Sequence, residues 1–122
     1  MYQLEHHVPA RNERDRNQIL AMQQFLHNPA ADGWKWDDFE ALRDLWQRES
    51  GWDATAANPN SSAFGIPQAL TRLHKLDDSY RNSPERQIDW GFNYIRNRYG
   101  RPRAALDKWL WRAENDHRGG WY

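Results

Sequence analysis

Eight Trp, five Tyr and four Phe stand in a 122-residue chain whose mean hydropathy is −1.14, and that imbalance limits what the chain can fold into. Aliphatic side chains are too few to fill an interior, so any core is small and built on rings. A buried indole needs a partner for its N–H, whereas a ring left at the surface offers a flat face for a sugar or a base. Two uses of the rings stay open at this point: an aromatic core and a ring-lined groove. At this length the chain makes one domain.

Charge excludes less than it suggests. Seventeen basic side chains balance seventeen acidic ones, with a surplus of acids in residues 1–61 and of bases in residues 62–122. No run of like charge exceeds two or three residues, so the asymmetry reads as ordinary solvated faces, and no nucleic-acid partner is expected. With no cysteine there is no disulfide framework and no thiolate metal site. His6 and His7 are adjacent but read as incidental, so no metal or other cofactor is expected. The first twenty residues carry Glu5, Glu13 and Asp15 and lack an apolar run, so neither a signal peptide nor a membrane span is expected from them.

Helical punctuation organises the rest. Residues 1–16 lack apolar periodicity and read as an exposed leader or linker, leaving 17–122 as the domain. From Asn17, apolar residues recur at helical spacing through Leu26 until Asn28-Pro29 stops them. Asp37, with Glu40 three residues on, predicts the cap of a second helix running to about Ser50. Gly51 to Ala63 reads as an irregular loop or weak hairpin, and Pro67 as the start of a short helix to about Leu73. Ser83-Pro84-Glu85 opens a helix that Gly100 ends, and Pro102 opens a last one to about Asn115. The predicted fold class is all-α, about five helices with at most a vestigial hairpin.

One carboxylate breaks the pattern. On the second helix Phe39, Leu42, Leu45 and Trp46 form the apolar stripe, and the same steps continue onto Glu49. Burial beside Trp46 and the negative end of the helix both disfavour the anion, which suits an acid that donates a proton to a leaving group. A Glu49 that merely pairs with Arg43 or Arg48 is the competing reading.

The residues around it carry a resemblance. The segment Leu45-Trp46-Gln47-Arg48-Glu49-Ser50-Gly51-Trp52, then Asn58-Pro59, then Ala63-Phe64-Gly65-Ile66-Pro67-Gln68, is similar to the lysozyme-like, lytic-transglycosylase family. More narrowly it resembles the C-terminal transglycosylase domains in tail tape-measure proteins of phages infecting actinobacteria, and related secreted cell-wall proteins. The likeness covers roughly residues 34–100 and implies a lysozyme-like helical domain. It implies Glu49 as the sole catalytic acid and base, followed by Ser50. Gly65-Ile66-Pro67-Gln68 matches the family's groove motif, with Gln68 as a sugar contact and Gly65 permitting close approach of the backbone. Gly91-Phe92-Asn93-Tyr94-Ile95 matches a third motif whose Tyr faces the acid, here Tyr94, for which a place in the core is the alternative. Trp52, Phe64 and Trp90 serve either as stacking rings or as core. The family's Ala-Tyr-Asn motif is not matched by Ala104-Ala105-Leu106, where Trp109, Trp111 or His117 stand as substitutes; the terminal Trp121-Tyr122 does fit the closer relatives.

What the resemblance implies is cleavage of the β-1,4 bond between N-acetylmuramic acid and N-acetylglucosamine in peptidoglycan, leaving 1,6-anhydro ends. The partner is then the glycan strand, and the setting is extracellular or virion-associated, in a phage tail or a larger cell-wall protein. A hydrolytic muramidase would need a second carboxylate. Asp53, Asp77 and Asp78 are the near candidates, each reading first as a surface residue. A non-catalytic wall-binding or tail-structural module is the third reading.

Overall fold

The computed structural model describes residues 10–115. Among them the chain is mostly helical. The elements are α1 (Glu13–His27), a 3-10 turn (Pro29–Ala31), α2 (Trp36–Ser50), β1 (Ala63–Phe64), β2 (Ala69–Leu70), α3 (Asp78–Arg81), α4 (Pro84–Arg98) and α5 (Pro102–Asn115). The two strands form one small antiparallel hairpin, Ala63 opposite Leu70 and Phe64 opposite Ala69. Residues 1–9 and 116–122, which hold His6, His7, His117, Trp121 and Tyr122, lie outside the described residues.

The core is ring-built. Trp46, Trp52, Phe39 and Phe92 are all but wholly buried, joined by Leu42, Leu45, Ile66, Ile88 and Ile95. Trp46 meets Trp52 edge-on at 5.4 Å between ring centroids and Phe92 at 6.0 Å. Gly91 is where α4 meets the Trp46 ring of α2: a Cβ there would stand 2.4 Å from Trp46 Cζ2, so only a hydrogen fits. The helices are also tied end to end. Asp38, fully buried at the start of α2, accepts from Arg101 Nε at 3.0 Å and from the N–H of Arg103 at 3.2 Å, where α5 begins. Burial pushes the Asp38 carboxyl up, but the Arg101 guanidinium and the N–H groups of Lys35 and Arg103 outweigh it and hold the group below its ordinary value.

Three sequence expectations need correction. The leader ends earlier than expected, because Asn12 Oδ1 caps α1 at Asp15 N (2.9 Å), Arg14 pairs with Asp53, and Asn17 is buried. The helix α2 starts at Trp36 after Lys35, and the residue reaching back to the Lys35 N–H is Asp38 at 2.9 Å, not Asp37 or Glu40 at their expected places. Pro67 opens no helix. The Ile66 N–H is taken by Gln87, Gln68 adopts φ +55°, and the chain turns back as β2. The helix starts at Pro84 and Pro102 stand where the sequence puts them.

Candidate functional site

Glu49 is the second-last residue of α2, half-buried, and its Oε2 is shielded from solvent. The stripe below it, Phe39, Leu42, Leu45 and Trp46, is buried throughout. Directly after it the backbone turns left-handed twice, at Gly51 (φ +65°) and at Trp52 (φ +65°). For an indole-bearing residue this conformation costs about 1–3 kcal/mol and persists only where the surroundings over-determine it. They do. Asn17 Nδ2 donates to Trp52 O (2.9 Å), Trp52 N to Ser50 Oγ (3.1 Å), and Trp52 Nε1 to Arg43 O (3.2 Å).

Ser50 also reaches the hairpin, its Oγ donating to Ile66 O at 2.7 Å. From the other side Gln87 of α4 clasps the same turn: Oε1 accepts from Ile66 N (2.9 Å), and Nε2 donates to Ala54 O (3.0 Å) and Arg81 O (3.3 Å). Gly65 (φ +83°) lies against this amide so closely that a Cβ would stand 2.5 Å from Gln87 Oε1. Gln68 Nε2 closes the loop by donating to Ala56 O and Gly65 O, both at 2.9 Å. The three segments of the resemblance, 45–52, 63–68 and 91–95, are therefore joined: Ser50 to Ile66 by a hydrogen bond, and Trp46 to Gly91 by packing.

Several expected site residues turn out to be framework. Trp52 is 1% exposed and Ile66 0%, so neither side chain offers a face to a sugar; Trp52 fills the core because its turn points the ring inward onto Trp46. Ser50 and Gly65 hold the loop together. Phe64 is half-buried, with the Arg81 guanidinium 5.1 Å above its ring and its carbonyl accepting from Tyr80 Oη at 2.7 Å. Tyr94 is neither core nor bare: it is half-buried and stacks on Trp90 at 4.8 Å with an interplanar angle of 13°. Burial raises the Tyr94 phenol above its ordinary value, against the pull of Arg98 and Arg112. Trp109 packs beside Arg48, whose guanidinium lies 5.3 Å over the ring, while Trp111 is 52% exposed.

Two of the three acidic residues near the loop are occupied locally. Asp53 Oδ1 accepts from the N–H and hydroxyl of Thr55, both at 2.8 Å, and the Thr55 N–H is the main cause holding its carboxyl below the ordinary value. Asp77 caps α3, accepting from Ser79 Oγ at 2.6 Å and Ser79 N at 3.0 Å; the Ser79 hydroxyl chiefly lowers its carboxyl too. Asp78 is exposed in the first turn of α3.

Two residues with evident work in this region escaped the sequence reading. Gln87 sits four residues before Gly91 on a buried face of α4, and a polar side chain beside an apolar stripe, as at Glu49, is the signal that marks it. His74 meets Trp90 at 4.9 Å and Tyr94 at 5.4 Å, and nothing in its neighbourhood in sequence signals that.

Comparison with family models, with curated proteins and with solved structures found no match. Among the described residues no group of three His, Cys, Asp or Glu is placed to hold a metal ion, and no helix is long and apolar enough to cross a membrane.

Proposed function

We propose that the protein is a peptidoglycan lytic transglycosylase with Glu49 as its one catalytic residue. The observation that carries this reading is the junction of the three motif segments around the end of α2, where a strained, over-determined turn follows a carboxyl with one shielded oxygen. On this reading Glu49 carries the proton that general acid catalysis requires. Glu49 gives that proton to the bridging oxygen as the bond to C1 of N-acetylmuramic acid breaks. As carboxylate it then takes the proton of the same sugar's C6 hydroxyl, whose oxygen bonds to C1. The products are a free 4-hydroxyl on one fragment and a 1,6-anhydro end on the other, with no water consumed.

With its Nε2 committed to the loop, Gln68 contacts the sugar through its carbonyl oxygen. The hydrolytic alternative needs a second carboxylate to activate water or to attack C1. Of the near candidates Asp53 and Asp77 are engaged in local capping, while Asp78 is exposed in the first turn of α3. On this reading the chain acts at the cell wall, from a secreted protein or a phage tail.

The test is mass spectrometry of fragments released from purified cell wall. Anhydro ends from the parent protein and none from a folded Glu49→Gln variant are expected. Reducing ends would favour the muramidase, and wall binding without any soluble product the non-catalytic module.

A further inference from the structure

A pocket of about 500 Å3 lies on the outer face of α4, lined by His74, Trp90, Asn93, Tyr94, Asn97 and Arg98. Four features mark it as built for a ligand that is flat on one side and charged on another. The stacked Trp90–Tyr94 pair, buttressed edge-on by His74, gives a rigid aromatic wall. Asn93 and Asn97 stand one helical turn apart beside that wall; Asn93 Nδ2 donates to Asp89 O (2.9 Å) and to Asp89 Oδ1 (3.2 Å), which orients its amide and leaves its carbonyl oxygen for a ligand. Arg98 is anchored by Nε on Tyr99 Oη at 3.2 Å, and a guanidinium has four further N–H donors at its outer end. Among the described residues, no lining side chain is acidic. An aromatic wall receives the apolar face of a pyranose, amides receive hydroxyl and acetamido groups, and an arginine fork matches a carboxylate.

We infer that this pocket is a saccharide subsite that reads a carboxylate carried on an N-acetylated amino sugar, with Arg98 as the residue that sets the preference for acidic over neutral glycan. The inference rests on the proposed function for the identity of the glycan: in peptidoglycan the carboxylate is that of the lactyl ether or of the peptide attached to it. Tyr94 lies in both this pocket and the third motif, so the same helix face that supports the reaction site also holds the strand.

The experiment uses the Glu49→Gln protein, so that ligands persist, and titrates two tetrasaccharides by calorimetry: one of alternating N-acetylglucosamine and N-acetylmuramic acid, and chitotetraose. A charge-assisted pair predicts about tenfold tighter binding of the acidic glycan, falling as salt rises. Adding Arg98→Gln should erase the preference while chitotetraose binding stays, Arg98→Lys should keep part of it, and Trp90→Ala should weaken both ligands. Equal affinities in the starting protein, or a preference that survives Arg98→Gln, overturns the subsite. Should Arg98→Gln fail to fold, the salt dependence and Arg98→Lys decide. Failure of the subsite with anhydro products still formed leaves the reaction standing; a clear preference with no cleavage by the parent protein overturns the reaction and supports the subsite.

Discussion

The helices and the segment between residues 51 and 77 are held by different means. The helices meet through rings and aliphatic side chains at contacts that tolerate no added atom, as Trp46 against Gly91 does. The segment carries little regular structure, two strands of two residues each, and is fixed point by point: Ser50, Gln68, Gln87 and Tyr80 each reach a backbone group of the loop or its ends. Packing is lost in proportion to volume, whereas a polar clasp is lost whole when one partner goes. Damage to the helices should thus appear in global stability, and damage to the clasps in local order.

The largest effect is expected at Gly91→Ala, where the new methyl group must push Trp46 aside. A loss of about 3 kcal/mol, at the upper end of overpacking costs, should appear in urea melts as a shifted midpoint with an unchanged slope. A fall below half that would mean that the indole has room to move. Next comes Gln87→Leu, which strips the partner from the Ile66 N–H and the Ala54 carbonyl. Each unsatisfied group costs about 1–3 kcal/mol, and local opening of the loop caps the global loss near the lower figure. Amide exchange should accelerate at residues 54–68 and not in the centre of α4; uniform acceleration would erase the distinction between the two regions.

Legibility in the sequence divides along the same line. Apolar periodicity and Pro or Ser punctuation are repeated signals, so the starts at Pro84 and Pro102 and the buried stripe of α2 were readable. The clasps are single contacts between residues far apart in the chain: Gln87 is twenty-one residues from Ile66. No local pattern announces them, and this is why Pro67 reads as a helix start when the turn around it is dictated from α4. Trp52 misleads for a related reason, since exposure and burial of an indole look alike until the left-handed turn at that residue aims it inward. Glu49 was legible because it violates a periodic rule.

An effect of similar size, about 1–2 kcal/mol, is expected at Asp38→Ala, below the range for a fully buried pair because Arg101 is 45% exposed. The sign of its pH dependence is fixed by the lowered Asp38 value. The unfolded carboxyl takes a proton more readily than the folded one, so this stabilisation is complete above the ordinary value of 3.8 and is lost as pH falls through the folded value. Thermal melts of the parent should decline there, and those of Asp38→Ala decline less.

The smallest effect is expected at His74. Burial lowers its imidazole below the ordinary 6.5, so the neutral form belongs to the folded state and the unfolded chain binds the proton first. Stability should be full above about 6.5 and decrease as pH drops below it. His74→Asn should flatten that slope; an identical slope would show that folding leaves the proton affinity of the imidazole unchanged.

The contact at Gly91 sets a spacing. The edge of the Trp46 indole stands against bare backbone at Gly91, so α2 and α4 are spanned at this point by one ring. Any side chain added there would have to displace the ring or the helix behind it, so the placement of the two helices is held by a joint with no slack.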